Sequence, residues 1–240
     1  GLEVTGQPNA PLLVRYLEPA GPAARAGVQR GERIMSLNGR SAADIITADD
    51  FSALTPNAAG DALSVVLRNA AGVDRTVNLT AATFNLTPVQ SGQGVRSQNG
   101  QSIGYVFIKD MISQVGSPLA TTMTSFRNQG IDDLVLDLRY NGGGLVSMGR
   151  TVASYASGGT HSGKVYTRLL YNDKQSRSNQ TTTFTNPGGW SGFSRVYVLM
   201  GERTCSASEQ VINGLRGVGI TVVPIGDASC GKPVGFNATD

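Results

Sequence analysis

The pattern of apolar runs changes at a polar, glycine-bearing stretch between residues 89 and 101, and this change constrains the fold more than any other feature. Before the stretch, short apolar runs such as Leu12–Leu17 alternate with turn residues, which is typical of a small β-rich domain. After it, apolar strands such as Leu134–Leu138 alternate with helical patterns, which is typical of an α/β core. We therefore predict a β-rich domain over residues 1–88, a linker over 89–101 and an α/β core over 102–240.

Length and charge limit the classes of partner. A chain of 240 residues can bury two modest cores. The net charge is only +3 and no Lys/Arg run exceeds a pair, so we predict no nucleic-acid partner. No apolar stretch approaches the roughly 20 residues that cross a bilayer. Gly1 begins no charged-then-apolar leader. Because residues 1–4 already resemble the start of a strand, we expect that leader and linker residues have been removed ahead of Gly1.

Local signals place the individual elements. In the first part they predict a helix at Pro22–Ala26, a strand within Arg30–Arg40 that stops at an Asn-Gly turn, a helix at Ala48–Leu54 and a hairpin of residues 62–79. In the second part they predict strands at Ile103–Ile108, Leu134–Leu138, Val196–Met200 and Ile220–Ile225, helices at Ser117–Gln129, Leu145–Tyr155 and Ala207–Arg216, and a hairpin within Val165–Phe184.

Three consecutive glycines, Gly142, Gly143 and Gly144, lie where a buried strand ends and a helix begins. Their unobstructed backbone N–H groups at a helix N-terminus can hold negative charge that develops on an oxygen. The alternative is a tight turn in which Asp137 and Arg139 form a structural ion pair. No Gly-Lys-Ser/Thr follows the glycines, which disfavours a phosphate loop.

Ser206 lies between a predicted strand and a predicted helix. With Glu209 three residues later, it fits an N-cap with a capping box. A hydroxyl at a helix N-terminus also suits a nucleophile whose oxyanion is held by the amide of Ala207. Both interpretations stay open at this point.

Lys232 follows a loop-like run that begins at Gly226. A lysine there is ordinarily a solvated surface charge. To act as a general base it must be neutral near pH 7, which requires burial that lowers its pKa from about 10.4 by several units.

The two cysteines, Cys205 and Cys230, flank these two residues. A disulfide between them would suit an oxidising compartment and would bring Ser206 and Lys232 into one site, while two buried free thiols are the alternative. His161 is the only histidine and lies in a glycine-rich segment that predicts a surface loop. A metal site would lack a second imidazole, so we predict no metal and no cofactor.

The first part resembles a known domain. The segment Glu18–Val28, followed by Gly31-Glu-Arg-Ile and Leu37-Asn-Gly, is similar to the core of a bacterial PDZ domain. The resemblance implies that a peptide C-terminus adds as a strand beside Gly1, Leu2, Glu3 and Val4. The alternative is a first strand without a ligand role.

Four motifs in the second part resemble the C-terminal processing (tail-specific) peptidase family, a family of Ser/Lys serine proteases that carry a PDZ domain. They are Ile103–Val106, Leu134–Leu145, Ser206-Ala-Ser-Glu and Gly231-Lys232. The resemblance implies an α/β protease core of crotonase- or Clp-like β-β-α units behind a PDZ-like β-rich domain. It also implies a Ser206 nucleophile, a Lys232 general base and oxyanion donors at Ala207 and at Gly143 or Gly144.

The chain departs from this family in several places. Relatives follow the Gly-Lys pair with a glycine and place a glutamine four residues after the lysine, where this chain has Pro233 and Phe236. Other members carry an aspartate where this chain has Gly217, so the group that orients Lys232 is unidentified. The Ser206 to Lys232 separation of 26 positions is about one residue above the family's usual spacing. The family core normally continues past the point that corresponds to Asp240, so we expect the core over 102–240 to be incomplete at its C-terminus.

These features predict a serine endopeptidase that cleaves protein substrates recognised by their C-termini. We expect it in the periplasm or outside the cell, released from a signal peptide or held as a lipoprotein. The first alternative is a catalytically inactive peptide-binding scaffold of the same fold. The second, based on fold analogy alone, is a small-molecule or acyl-group binding protein on a crotonase-like core.

Overall fold

The computed structural model describes residues 2–5, 10–91, 95–96 and 99–236, and its contacts divide the chain into two compact units, residues 1–87 and 88–240. The strands are β1 (Leu2–Thr5), β2 (Leu13–Leu17), β3 (Arg33–Leu37), β4 (Arg40–Ser41), β5 (Ala62–Arg68), β6 (Asp74–Thr80), β7 (Val89–Ser91), β8 (Val95–Arg96), β9 (Ser102–Ile108), β10 (Asp133–Asp137), β11 (Val165–Leu169), β12 (Gln180–Thr183), β13 (Arg195–Met200) and β14 (Thr221–Gly226). The α-helices are α1 (Pro22–Arg25), α2 (Ala42–Thr47), α3 (Gly116–Asn128), α4 (Val146–Ser157) and α5 (Ala207–Gly217). Within the described ranges, none of the helices combines the length and apolar character that crossing a bilayer requires.

The first unit is built on an antiparallel sheet. Its strands follow the order β1-β2-β3-β5-β6, and β4 pairs with β3. Residues of β2, β3 and β5 point into one core, in which Val14, Ile34 and Leu67 are fully buried. Because β1 pairs only with β2 among the described strands, it forms one edge of this sheet.

The helix predicted at Ala48–Leu54 is wrong. The helix lies earlier, in α2, because the Ser41 hydroxyl accepts a hydrogen bond from the Asp44 N–H and caps it. The chain then turns at Asp49, whose φ is 49°, and only a short 3₁₀ turn remains at Ser52–Leu54. The sequence signal for the start of α2 is a serine followed three residues later by an aspartate, Ser41 and Asp44. The prediction instead followed the apolar pattern of the later residues.

The second unit is built on a mainly parallel sheet in the order β14-β13-β10-β9-β7. Strands β9, β10, β13 and β14 are mutually parallel, whereas β7 and β8 pair antiparallel with β9. The stretch predicted as a linker therefore contains two short strands of this sheet. Elsewhere in this unit, the predicted helices and sheet strands agree with the structure to within two residues at each end.

Helices α3, α4 and α5 supply the rest of the second core. Leu134, Leu136 and Val198 from the sheet pack with apolar side chains of these helices, including Phe126, Val152 and Val211. The glycine turn after β10, the Ser206 turn after β13 and the Lys232 segment after β14 all leave the carboxyl ends of parallel strands. These ends meet at one edge of the sheet, which is where α/β folds form their sites.

Candidate active site

Ser206 occupies a strained backbone conformation between β13 and α5. Its φ is 58° and its ψ is −117°, whereas an ordinary N-cap residue is extended. A non-glycine residue in such a region costs on the order of 1–3 kcal/mol and persists only where surrounding contacts impose it. An N-cap function does not require this geometry, but presenting a side chain at a sharp strand-to-helix turn does.

The glycine turn approaches this serine closely. Gly143 has a φ of 100°, and a Cβ built on it would lie 2.8 Å from the Ser206 Cβ and 2.7 Å from the Cys205 carbonyl oxygen. Gly144 has a φ of 130°, and a Cβ there would lie 2.5 Å from the Met111 carbonyl oxygen. Both the backbone conformation and the space therefore require glycine at these two positions.

Asn141 connects the two turns and is fully buried. Its Nδ2 donates to the Ile108 carbonyl oxygen at 3.0 Å, and its Oδ1 accepts from the Gly143 N–H at 2.9 Å. Its backbone carbonyl oxygen accepts hydrogen bonds from the Cys205 N–H and the Ser208 hydroxyl, each at 3.1 Å. The amide of Gly143 is thus already used, which favours Gly144 over Gly143 as an oxyanion donor.

Lys232 is half-buried and its amine lies beside an aromatic ring. The Nζ is 4.5 Å from the centre of the Phe236 ring. No hydrogen bond within the described ranges joins this Nζ to the Ser206 hydroxyl.

The Glu209 carboxylate accepts four hydrogen bonds. Its Oε1 accepts from the Ser229 hydroxyl at 2.7 Å and from the Gly231 N–H at 2.8 Å. Its Oε2 accepts from the Ser206 N–H at 2.8 Å and from the Lys232 N–H at 3.0 Å. Burial alone would raise the pKa of this carboxyl, but the four hydrogen bonds outweigh it and hold the pKa below its ordinary value.

Cys205 and Cys230 form a disulfide, with Cα atoms 5.2 Å apart. The bond joins the residue before Ser206 to the segment that carries Lys232. A potential ligand atom of Glu209 lies within 4.8 Å of both sulfurs. Since thiolates rather than disulfide sulfurs ligate metals, the oxidised protein offers no thiolate pair here.

The ion pair predicted at the end of β10 is present beside the glycine turn. The Asp137 carboxylate is 1% exposed and accepts hydrogen bonds from the Arg139 guanidinium at 2.6 Å and the Tyr105 hydroxyl at 2.8 Å. Burial would raise the pKa of Asp137, but Arg139 and Tyr105 together hold it below its ordinary value. Burial, followed by the bond to Asp137, raises the pKa of Tyr105 to about 12. The pair and the glycine turn coexist rather than exclude one another.

A cleft of about 460 Å³ opens at these residues. Ser206 and Lys232 both line it, and strand β11 contributes its residues 166–169 to the wall. Within the described residues β11 pairs only with β12. The cleft therefore combines a hydroxyl, an amine and an exposed strand edge.

A sequence profile described as peptidase family S41 matches residues 102–239, which is more than half of the chain. The chain belongs to peptidase family S41. A second profile, described as a PDZ domain, matches residues 13–69. The S41 fold with an N-terminal PDZ domain confirms the fold and family expected from the sequence motifs.

Curated relatives of this S41 chain carry related names. A carboxyl-terminal-processing protease of Picosynechococcus is 25% identical over 97% of this chain and 53% of the relative. A similarly named protein of Synechocystis is 28% identical over 90% of this chain and 48% of the relative. The chain thus spans about half the length of these relatives.

Solved structures show the same architecture. A putative S41 protease from Bacteroides fragilis superposes with a TM-score of 0.75 at 25% identity, over 97% of this chain and 64% of that one. The photosystem II D1 C-terminal processing protease superposes with a TM-score of 0.55 at 26% identity, over 97% and 61% of the two chains.

Most site residues predicted from the S41 resemblance lie near one another. Ser206 and Lys232 share the cleft, and Ala207 and Gly143 lie at the Ser206 turn. His161 is partly exposed; its Nδ1 lies 3.1 Å from the Ser157 carbonyl oxygen, and it does not line the cleft. Among the predicted peptide-binding residues, Leu2, Glu3 and Val4 form β1, and Gly1 lies outside the described residues.

Sequence reasoning missed two residues that organise this S41 site. The prediction gave Asn141, inside the Leu134–Leu145 motif, no role of its own, although a polar residue between a buried strand and a glycine run is a signal for a turn-bridging side chain. Glu209 was assigned only to a capping box, and its contacts with residues 229–232 come from a segment 20 to 23 positions away. No local pattern could have indicated that second set of contacts.

Proposed function

We propose that this chain carries the catalytic site of a serine endopeptidase in which Ser206 is the nucleophile and Lys232 the general base. The observation that carries the proposal is the strained backbone of Ser206, held against Gly143 in the cleft that Lys232 also lines. A structural serine gains nothing from this conformation, whereas a nucleophile needs its hydroxyl presented to a substrate.

The chemistry follows from these positions. The Ser206 Oγ attacks the peptide carbonyl carbon while the neutral Lys232 amine takes the hydroxyl proton. The amides of Ala207 and Gly144 donate to the resulting oxyanion, since Ala207 begins α5 and its N–H belongs to the free first turn. The protonated lysine then gives its proton to the leaving amine, and water hydrolyses the acyl-enzyme.

Protein C-termini are the proposed substrates, recognised by the PDZ domain. Strand β1 forms a sheet edge, and Leu2 lines a cavity of about 490 Å³ together with Ala53, Leu54 and Leu63. An edge strand beside a cavity whose lining includes apolar side chains supports addition of an extended peptide. The names of the S41 relatives agree with action near carboxyl termini.

An oxidising compartment outside the cytoplasm is the proposed location. The Cys205–Cys230 disulfide supports it, because structural disulfides persist where thiols are not kept reduced.

Replacement of the pair tests the proposal. Ser206→Ala and Lys232→Ala should each lower cleavage of an unfolded protein by about 10³-fold or more. Ser147→Ala and Lys174→Ala, which alter exposed residues outside the cleft, should leave it unchanged. Full activity in either cleft variant would end the assignment.

The inactive scaffold remains the second candidate, because the Lys232 Nζ lies over the Phe236 ring and, within the described ranges, makes no hydrogen bond to the Ser206 hydroxyl. A fluorophosphonate probe separates the two candidates. Ser206 is modified in a protease and stays unmodified in a scaffold, while peptide binding persists in both.

Peptide recognition needs its own measurement on the full chain. With Ser206→Ala to prevent cleavage, a peptide with a free C-terminal carboxylate should bind at least about tenfold more tightly than its amidated form, given the strength of hydrogen bonds to charged groups. Equal affinities would remove C-terminal recognition from the proposal.

A further inference from the structure

We propose that Glu209 is a positioning residue that fixes the segment carrying Lys232 relative to the Ser206 turn. The inference deepens the proposed function and rests on it. It is based on the donors around the Glu209 carboxylate. One donor is the Ser206 amide, and the other three belong to residues 229–232.

The carboxylate has no free capacity for acid–base chemistry. An ionised carboxylate accepts about four hydrogen bonds, and all four are made here, two at each oxygen. A proton on Glu209 would turn one of its oxygens into a donor that faces other donors, and the hydrogen bonds to that oxygen would be lost. Its role is therefore geometric, and it acts through the residues it holds.

The segment it holds has little other support. Residues 227–236 form neither helix nor strand, so their backbone N–H groups need acceptors from elsewhere. Glu209 accepts from two of them, at Gly231 and Lys232, and the Thr204 carbonyl oxygen accepts from a third, at Cys230. The disulfide and the Ser229 hydroxyl, which donates to Glu209, add two further links between residues 204–209 and the lysine segment.

The position of the Lys232 backbone determines whether its amine can reach Ser206. A long flexible side chain finds the serine only if its own backbone is placed correctly, and a displacement of about 1 Å can cost about a hundredfold in rate. Holding the Lys232 N–H and the Ser206 N–H on one oxygen sets that placement.

Glu209→Gln is the direct test, because glutamine keeps the shape but directs an NH₂ at donors. We expect kcat to fall about 10- to 100-fold with KM within about twofold, and fluorophosphonate labelling of Ser206 to slow in parallel. Hydrogen exchange at residues 229–232 should accelerate. The matched control is Glu202→Gln, an exposed glutamate with no hydrogen bond to this segment.

Two further experiments measure how much each contact to the lysine segment contributes. Ser229→Ala removes a single donor and should lower kcat by only about two- to fivefold. Combining Glu209→Gln with reduction of the disulfide by a dithiol should lower the labelling rate by more than the product of the two separate effects. The reason is that the disulfide can still hold the segment when the Glu209 hydrogen bonds are lost, and the reverse, whereas the combination removes both.

The outcomes are distinguishable. Wild-type turnover in Glu209→Gln, with Ser206→Ala inactive, overturns the positioning role and leaves the protease assignment standing. Loss of turnover with unchanged exchange at residues 229–232 also overturns it, as does a loss accounted for by a lower fraction of folded protein. Full activity of Ser206→Ala overturns both proposals.

Discussion

The Lys232 Nζ lies 4.5 Å from the centre of the Phe236 ring, four residues later in the same irregular segment. Phe236 stands at the position where the resembled family carries a glutamine. The lysine amine therefore contacts an aromatic ring where relatives have a polar side chain. An aromatic face attracts a cationic amine, so this contact favours the side-chain position over the ring. The Phe236 side chain is 82% exposed, so this interaction is weak and easily broken.

Replacing this aromatic ring should increase reactivity at Ser206. Phe236→Gln removes an exposed cation–π contact of about 0.5–1 kcal/mol, which corresponds to a two- to fivefold faster reaction with a fluorophosphonate at neutral pH. Val234→Ala, an exposed apolar residue of the same segment, is the control. Slower labelling of Phe236→Gln would show instead that the ring helps to orient the lysine.

The glycine turn offers a matched pair of variants. In Gly143→Ala the new Cβ would meet Ser206 and Cys205 within 3 Å at a positive φ, so we expect loss of probe labelling and a stability loss of about 1–3 kcal/mol. In Gly142→Ala the Cβ meets nothing within 4 Å, and labelling should be retained. Probe labelling and denaturant unfolding measure both variants, and equal behaviour would contradict the close approach.

Reduction of the Cys205–Cys230 disulfide should weaken the site. A dithiol supplies two electrons and leaves two free thiols, which releases a link that spans 25 positions of sequence. Such a bridge contributes about 2–4 kcal/mol to stability. We expect a lower unfolding midpoint and slower Ser206 labelling, both restored on reoxidation. A double Cys→Ser variant that labels at the wild-type rate would argue against a role for the bridge.

The Asp137 and Arg139 pair should make the stability of the second unit depend on pH. The folded-state pKa of Asp137 is lowered, so its stabilisation is present above the unfolded value near 3.8 and is lost as pH falls through the folded value. Asp137→Asn should be less stable at neutral pH by about 1.5–3 kcal/mol, and the difference from wild type should shrink below about pH 4. Urea unfolding between pH 3 and 7 measures it, with exposed Asp173→Asn as the control.

The sequence by itself determined the family and most elements of the second unit, apart from β7 and β8 in the stretch that was predicted as a linker. The apolar run Leu134–Leu138, the three glycines and the Ser206 block are local signals, because strand burial, positive φ and helix entry depend on neighbouring residues. The wrong helix prediction at Ala48–Leu54 shows the limit of such signals. The helix forms at Ala42–Thr47 instead, where the Ser41 hydroxyl caps it.

Only the tertiary structure decided how the pieces of the site meet. The disulfide, the approach of Gly143 to Ser206 and the four donors around Glu209 join residues from the ends of three parallel strands. Their contacts depend on sheet order and register, which no local pattern encodes. The position of the Lys232 amine over Phe236 likewise depends on the course of a segment without helix or strand, where side-chain and disulfide contacts determine the backbone.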